Sequence, residues 1–70
     1  MKHMTQRQKE ILAFIRDYMD DNGMAPSHEE IKQGLDISSN SAVAKHLAAL
    51  EKKKKIRVIP RRSRAIQLVA

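Results

Sequence analysis

Residues 26–53 read PSHEEIKQGLDISSNSAVAKHLAALEKK, and this stretch decides the fold. It opens as a helix start. The Ser27 hydroxyl can accept from an unpaired N–H of the first turn, while Glu30 reaches back to the Ser27 N–H, a reciprocal capping box. Glu29 and Glu30 also sit where the helix dipole favours negative charge. Ile31 and Leu35 supply a short buried face for a helix expected over about residues 28–35. Gly34-Leu35-Asp36-Ile37 makes a tight exit, and Ser38-Ser39-Asn40-Ser41 offers several caps for a helix expected over about residues 40–53. At roughly 100° per residue, Val43, Leu47 and Leu50 fall within about 60° of one another and form its apolar stripe. The opposite side carries Ser41, Lys45, Ala48 and Lys52. Nothing bulky or acidic stands on that ridge, so the helix can approach a nucleic acid closely. Two helices joined by a four-residue turn (Asp36–Ser39), the second polar on its outward side, meet the mechanical requirement for entering a major groove roughly 12 Å wide.

Upstream, Thr5 and Gln8 form another capping box, which predicts a helix over about residues 6–22. Ile11, Phe14, Ile15, Tyr18 and Met19 recur at helical spacing and face the core, with Arg7, Glu10, Asp17 and Asp21 facing away. Asn22-Gly23 closes the helix, because glycine takes the left-handed conformation cheaply. Downstream, residues 56–59 and 65–69 alternate apolar and polar positions and are rich in β-branched residues, with a polar loop of Pro60-Arg61-Arg62-Ser63-Arg64 between them. That pattern predicts an antiparallel hairpin. A two-stranded hairpin is marginal alone, so Ile56, Val58, Ile66 and Leu68 are expected on the helical core, with the basic loop projecting as a wing. The fold class is therefore mainly α with a small β-hairpin, a three-helix winged helix-turn-helix filling one domain over residues 1–70.

Composition narrows the function. A chain of 70 residues has room for one simple core. The only aromatics are Phe14 and Tyr18, too few for a base-stacking platform of the kind single-strand binders use. With no cysteine there is neither a disulfide framework nor a thiolate zinc site, and no apolar run approaches a membrane span. A reducing cytoplasm is the compartment that fits. Charge is strongly segregated: residues 1–51 carry a net −2 and residues 52–70 a net +8, the footprint expected for a polyanion. His3, His28 and His46 match no metal-ligand spacing. Ser63 has no partner base that the sequence identifies. No catalytic residue, metal, cofactor, membrane or small-molecule ligand is expected.

The stretches TQRQKEILAFIRDYM, GMAPSHEEIKQGL, KHLAALEKK and SRAIQL, in this order and spacing, resemble the N-terminal DNA-binding domain of the LexA repressor family of the bacterial SOS response. The resemblance runs without gaps over essentially the whole chain. It implies a transcriptional repressor domain in the bacterial cytoplasm, at the nucleoid, that binds palindromic operators on double-stranded DNA as two copies paired weakly on the DNA. Carried over by position, the base-reading segment is Ser39, Asn40, Ser41, Ala42, Ala44 and Lys45. The chain departs from the proteobacterial pattern at that same place, where Asn is usual at position 41 and acids at positions 44 and 45. Glycines usual in the family are replaced by Asp36, Lys54 and Ala65, and the wing tip is Pro60-Arg61-Arg62 rather than small residues. Longer members carry a C-terminal self-cleaving domain, and this chain is expected to be a stand-alone, excised or engineered domain.

Each candidate has a plain reading beside the functional one. Ser39, Asn40 and Ser41 cap helices everywhere, yet capping and DNA contact can coexist. Lys52, Lys53 and their neighbours suit a helix C-terminus whatever the function. Arg61, Arg62 and Arg64 on a hairpin loop point more firmly to phosphate, which arginine grips bidentately. Ser27 and His28, at the start of the second helix, complete the expected phosphate contacts. Among the methionines, Met4, Met19 and Met24 are expected in or against the core. The alternative function is a winged-helix protein-protein interaction module without sequence-specific DNA readout. Salt dependence separates the two, since only phosphate neutralisation gives a steep log–log slope.

Overall fold

The computed structural model describes residues 4–62 and 64–69 of the chain, so His3 and Ser63 lie outside the described residues. Three helices precede a hairpin: α1 (Gln6–Asn22), α2 (His28–Gly34), α3 (Asn40–Lys52), β1 (Ile56–Val58) and β2 (Ile66–Leu68). The winged helix-turn-helix order read from the sequence is the one observed.

Both capping boxes form. Gln8 N donates to Thr5 Oγ1 and Thr5 N to Gln8 Oε1, each at 3.1 Å. At α2, Glu30 N donates to Ser27 Oγ at 3.1 Å and Ser27 N to Glu30 Oε1 at 2.8 Å. Helix α1 ends at Gly23, whose φ of 71° is left-handed and whose N–H donates to the Met19 carbonyl at 2.9 Å. Its Ile11 and Ile15 are fully buried, while Phe14 and Met19 pack at the edge of the core. The buried face is wider than the expected stripe. Leu12 is buried too, bordering the base of the hairpin with Met4, Leu68 and Val69.

Three expectations change here. Arg7 does not face away: its guanidinium donates to the Leu35 carbonyl at 2.7 Å and to Glu10 at 2.9 Å. It satisfies a carbonyl at the end of α2 that the helix itself leaves open. Met24 is exposed rather than packed, since after the left-handed turn at Gly23 it is Ala25 and Pro26 that take the buried positions. The turn between α2 and α3 is five residues long, Leu35 to Ser39, since α2 closes at Gly34.

Helices α2 and α3 leave by the same device. At each exit the second residue beyond the helix is left-handed without being glycine: Asp36 has φ 54° and Lys54 φ 61°. Paired backbone bonds close both ends, Ile37 N to Lys32 O (2.9 Å) with Asp36 N to Gln33 O (3.4 Å), and Lys55 N to Leu50 O (3.0 Å) with Lys54 N to Glu51 O (2.9 Å). These are Schellman pairs, which satisfy carbonyls the helix leaves open. Gly34 has a separate reason to lack a side chain: a Cβ there would run into the Phe14 ring.

Val43, Leu47 and Leu50 are buried as expected and join Ile11, Ile15, Ile31 and Ile37. The hairpin pairs Ile56 with Leu68 and Val58 with Ile66, so these four share one face, while Arg57 and Gln67 share the other. Ile56 and Ile66 are buried; Val58 and Leu68 pack at the margin of the core. Regular pairing stops one residue short of the expected ends, but single bonds extend it, Ile59 N to Ala65 O at 3.0 Å and Val69 N to Lys55 O at 3.1 Å. Glu51 ties α3 to the hairpin by accepting the Val58 N–H at 3.1 Å.

Candidate nucleic-acid interface

Helix α3 is presented by its buried stripe: with Val43, Leu47 and Leu50 fixed in the core, the opposite side of the helix must point out. Ser39 is the N-cap, its Oγ accepting from Ala42 N at 3.1 Å, and it remains exposed. Asn40, Ser41, Ala44 and Lys45 are exposed along the same helix. Asn40 reaches Glu29 only at 3.5 Å, a weak tie. Of the six residues expected to read bases, Ala42 differs. It is half-buried and packs on the core, on the same edge of the helix as the half-buried His46 and Ala49.

A groove of about 430 Å³ lies between the start of α2 and the wing. Ser27 and His28 line one wall, and Ile59, Pro60, Arg61 and Arg62 line the other. The structure thus brings five of the expected phosphate residues, Ser27, His28, Arg61, Arg62 and Arg64, to one place although more than thirty residues separate the first two from the rest. Arg61 turns the chain at the wing tip with φ 64°. Both arginines are exposed, as is Lys52 at the end of α3. Among the described residues, Lys45, Lys52, Arg61 and Arg62 make no ion pair.

Two expected phosphate residues are already engaged within the protein. Lys53 turns back onto α1, its Nζ donating to Gln8 Oε1 at 2.6 Å, on a side chain that is itself buried. Arg64 grips the body of the domain. Its Nη1 and Nη2 donate to Glu30 Oε1 and Oε2 at 2.7 and 2.9 Å, and Nη1 also reaches the Ala25 carbonyl (3.0 Å) and the Tyr18 hydroxyl (3.3 Å). The bidentate Arg64 contact, with the Ser27 N–H adding to it, holds the Glu30 carboxyl at about 2, well below its ordinary value. The Arg64 guanidinium is correspondingly raised by Glu30 and Tyr18. The sequence reading missed Glu30 as a wing partner, since its capping role already accounted for it and no local pattern links residues 34 apart.

Beside these, Glu29 lines the groove and carries a carboxyl lowered by Gln33 and Lys32. Among the described residues no group of three His, Cys, Asp or Glu side chains could hold a metal ion. No described helix is long and apolar enough to cross a membrane.

Comparison with known proteins places these features among relatives. The family model described as LexA DNA binding domain matches residues 1–65. The LexA repressor of Novosphingobium aromaticivorans is 41% identical over 66 residues, which cover 94% of this chain and 28% of the relative. That of Erythrobacter litoralis is 38% identical over 66 residues, again 94% of this chain and 28% of the relative. The chain spans less than a third of the length of these curated relatives.

Proposed function

This chain belongs to the LexA DNA-binding domain family, and on that premise we propose that it binds double-stranded DNA sequence-specifically as the operator-reading part of a repressor. The observation that carries the reading is the pairing of two surfaces. An exposed ridge of small, polar and basic side chains runs along α3, and a groove with exposed arginines on its wing side lies at the start of α2. Helix α3 lies in the major groove, where Ser41 and Lys45, with Ser39, Asn40 and Ala44 around them, meet base edges. Ser27, His28, Arg61 and Arg62 take backbone phosphate, with Lys52 beside them. Base contacts specify and phosphate contacts position. The role is regulatory rather than catalytic, and its setting is the bacterial cytoplasm, at the nucleoid.

Two copies bind inverted half-sites of a palindromic operator and pair weakly, on the DNA. Met24 and Val69 are the large apolar side chains exposed among the described residues, and two scattered residues do not make a tight dimer face. Sedimentation of the free chain at micromolar concentration should show a monomer, and a tight dimer would contradict this. Selection from a pool of random duplexes tests the function itself. Enrichment of two inverted copies of one short sequence is expected; retention of duplexes without any sequence preference would overturn specific readout.

A further inference from the structure

Arg64 sits on the wing, is basic and follows Arg61 and Arg62 closely, so a phosphate contact is its natural reading. The geometry points elsewhere: we propose that Arg64 is a positioning residue, which with Glu30 fixes the distance between the wing and the start of α2 and so sets the width of the phosphate groove. The inference rests on the DNA-binding reading above for its consequence, but not for its geometry.

Four observations converge. Both guanidinium nitrogens engage both carboxylate oxygens at 2.7 and 2.9 Å, the fork geometry that only arginine supplies. The same guanidinium bonds the Ala25 carbonyl and the Tyr18 hydroxyl, so it joins the wing to the end of α1, the loop after it and α2 together. Arg64 holds φ 51°, a left-handed conformation that costs a non-glycine residue energy and persists only when its surroundings impose it. Finally, Glu30 accepts the Ser27 N–H with the same Oε1 that takes Arg64 Nη1, so one carboxylate both caps α2 and holds the wing. Ser27 stands on one wall of the groove, and Arg64 itself lines it from the loop that forms the other. A short rigid link between the walls therefore decides whether Arg61 and Arg62 can meet a phosphate at the same time as Ser27 and His28. The hairpin itself is only three residues per strand and has little stiffness of its own.

The test uses two substitutions whose effects have the same sign if Arg64 positions the wing and opposite signs if it touches DNA. Glu30→Gln breaks the charge pair yet keeps a residue able to complete the capping box. Arg64→Gln breaks it from the other side. Each variant is titrated with a random-sequence duplex over a range of salt concentrations, after circular dichroism shows that it is folded at the working temperature. Amide exchange of the DNA-free proteins is followed at Ile59, whose N–H bonds Ala65 across the base of the wing, with Val43 and Leu47 in α3 as references. Both variants are expected to bind several-fold more weakly, Glu30→Gln doing so although it removes a negative charge. The log–log salt slope should fall by about one for each phosphate that is no longer neutralised. Ile59 should exchange faster in both while Val43 and Leu47 do not change. A merely structural role would not move the salt slope of a folded variant. Tighter binding by Glu30→Gln with a steeper slope would show that Arg64, once freed, itself grips phosphate, and would overturn the proposal. So would unchanged Ile59 exchange in both variants. If the unaltered chain fails to bind duplex even at low salt, the DNA-binding reading falls, and the exchange data alone still decide whether the clamp exists.

Discussion

Helix α3 and the wing are both offered to solvent, but different forces put them there. The orientation of α3 is set locally: Ser39 caps it, and Val43, Leu47 and Leu50 bury one stripe, so the opposite ridge has to face out. Its outward side chains are left almost untied. Among the wing's described residues only Ile56 and Ile66 are deeply buried, and it is held by side chains reaching to distant elements, Arg64 to Glu30 and Tyr18 on one flank and Glu51 to Val58 on the other. The contrast suits the division of labour proposed here. A reading element needs rigid backbone and free side chains, whereas an anchoring element needs its backbone placed at the right distance from a fixed surface.

The same contrast explains what could be read from the sequence. Side-chain caps act between residues three apart, and apolar stripes repeat within one helix, so all three helix starts and the buried faces of α2 and α3 were legible. The left-handed exits at Asp36 and Lys54 were signalled only through the resemblance, which places glycine at both positions. What the sequence hid are single bonds between remote residues: Arg7 to Leu35, Lys53 to Gln8 and Arg64 to Glu30, which lie 28, 45 and 34 positions apart. Arg64 and Lys53 look like phosphate ligands in the sequence for that reason. A basic residue on a loop or a helix end reads the same whether it faces a phosphate or a carboxylate. Ala42 is ambiguous for a smaller one, since a small side chain beside the stripe fits either side of the boundary.

Several substitutions would break or sharpen the comparison. The largest effect belongs to Leu47→Ala, which empties a fully packed position under the reading helix and should cost about 2–5 kcal/mol. In a domain this small that loss threatens the whole fold. A thermal melt unchanged from the parent would mean that α3 is not held by its stripe.

The junction between the two regions is next. Lys54 carries φ 61°, a conformation costing an L-residue about 1–2 kcal/mol that glycine would avoid, with part of the gain returned as glycine's greater unfolded-state entropy. Lys54→Gly should therefore raise stability by about 0.5–1 kcal/mol. A clear drop in the denaturation midpoint would show that the Schellman ending is not strained.

The smallest effect is on acid stability and concerns the link between the wing and the start of α2. The Glu30 carboxyl lies at about 2 in the folded chain against an ordinary 4.5, chiefly because of Arg64, so the unfolded chain binds its proton more readily. Stability from this group is complete above about 4.5 and is lost as the pH falls toward about 2. Glu30→Gln should consequently give a shallower decline in melting temperature across that window. Superimposable acid limbs for parent and variant would mean that Glu30 and Arg64 are not paired in solution.

The central claim is that α3 specifies and the wing anchors, and one set of titrations tests it directly. Ser41→Ala and Lys45→Ala on one side, and Arg61→Ala with Arg62→Ala together on the other, are measured against the selected duplex and a scrambled one at several salt concentrations. The helix variants should alter discrimination among half-site bases, by about 1–3 kcal/mol where a bidentate pair with a base is removed, while leaving scrambled DNA nearly unaffected. The wing variant should weaken both duplexes almost equally, with a salt slope smaller by about one for each phosphate released. If instead the wing variant loses base preference and the helix variants keep it, the two regions have exchanged roles and the account is contradicted.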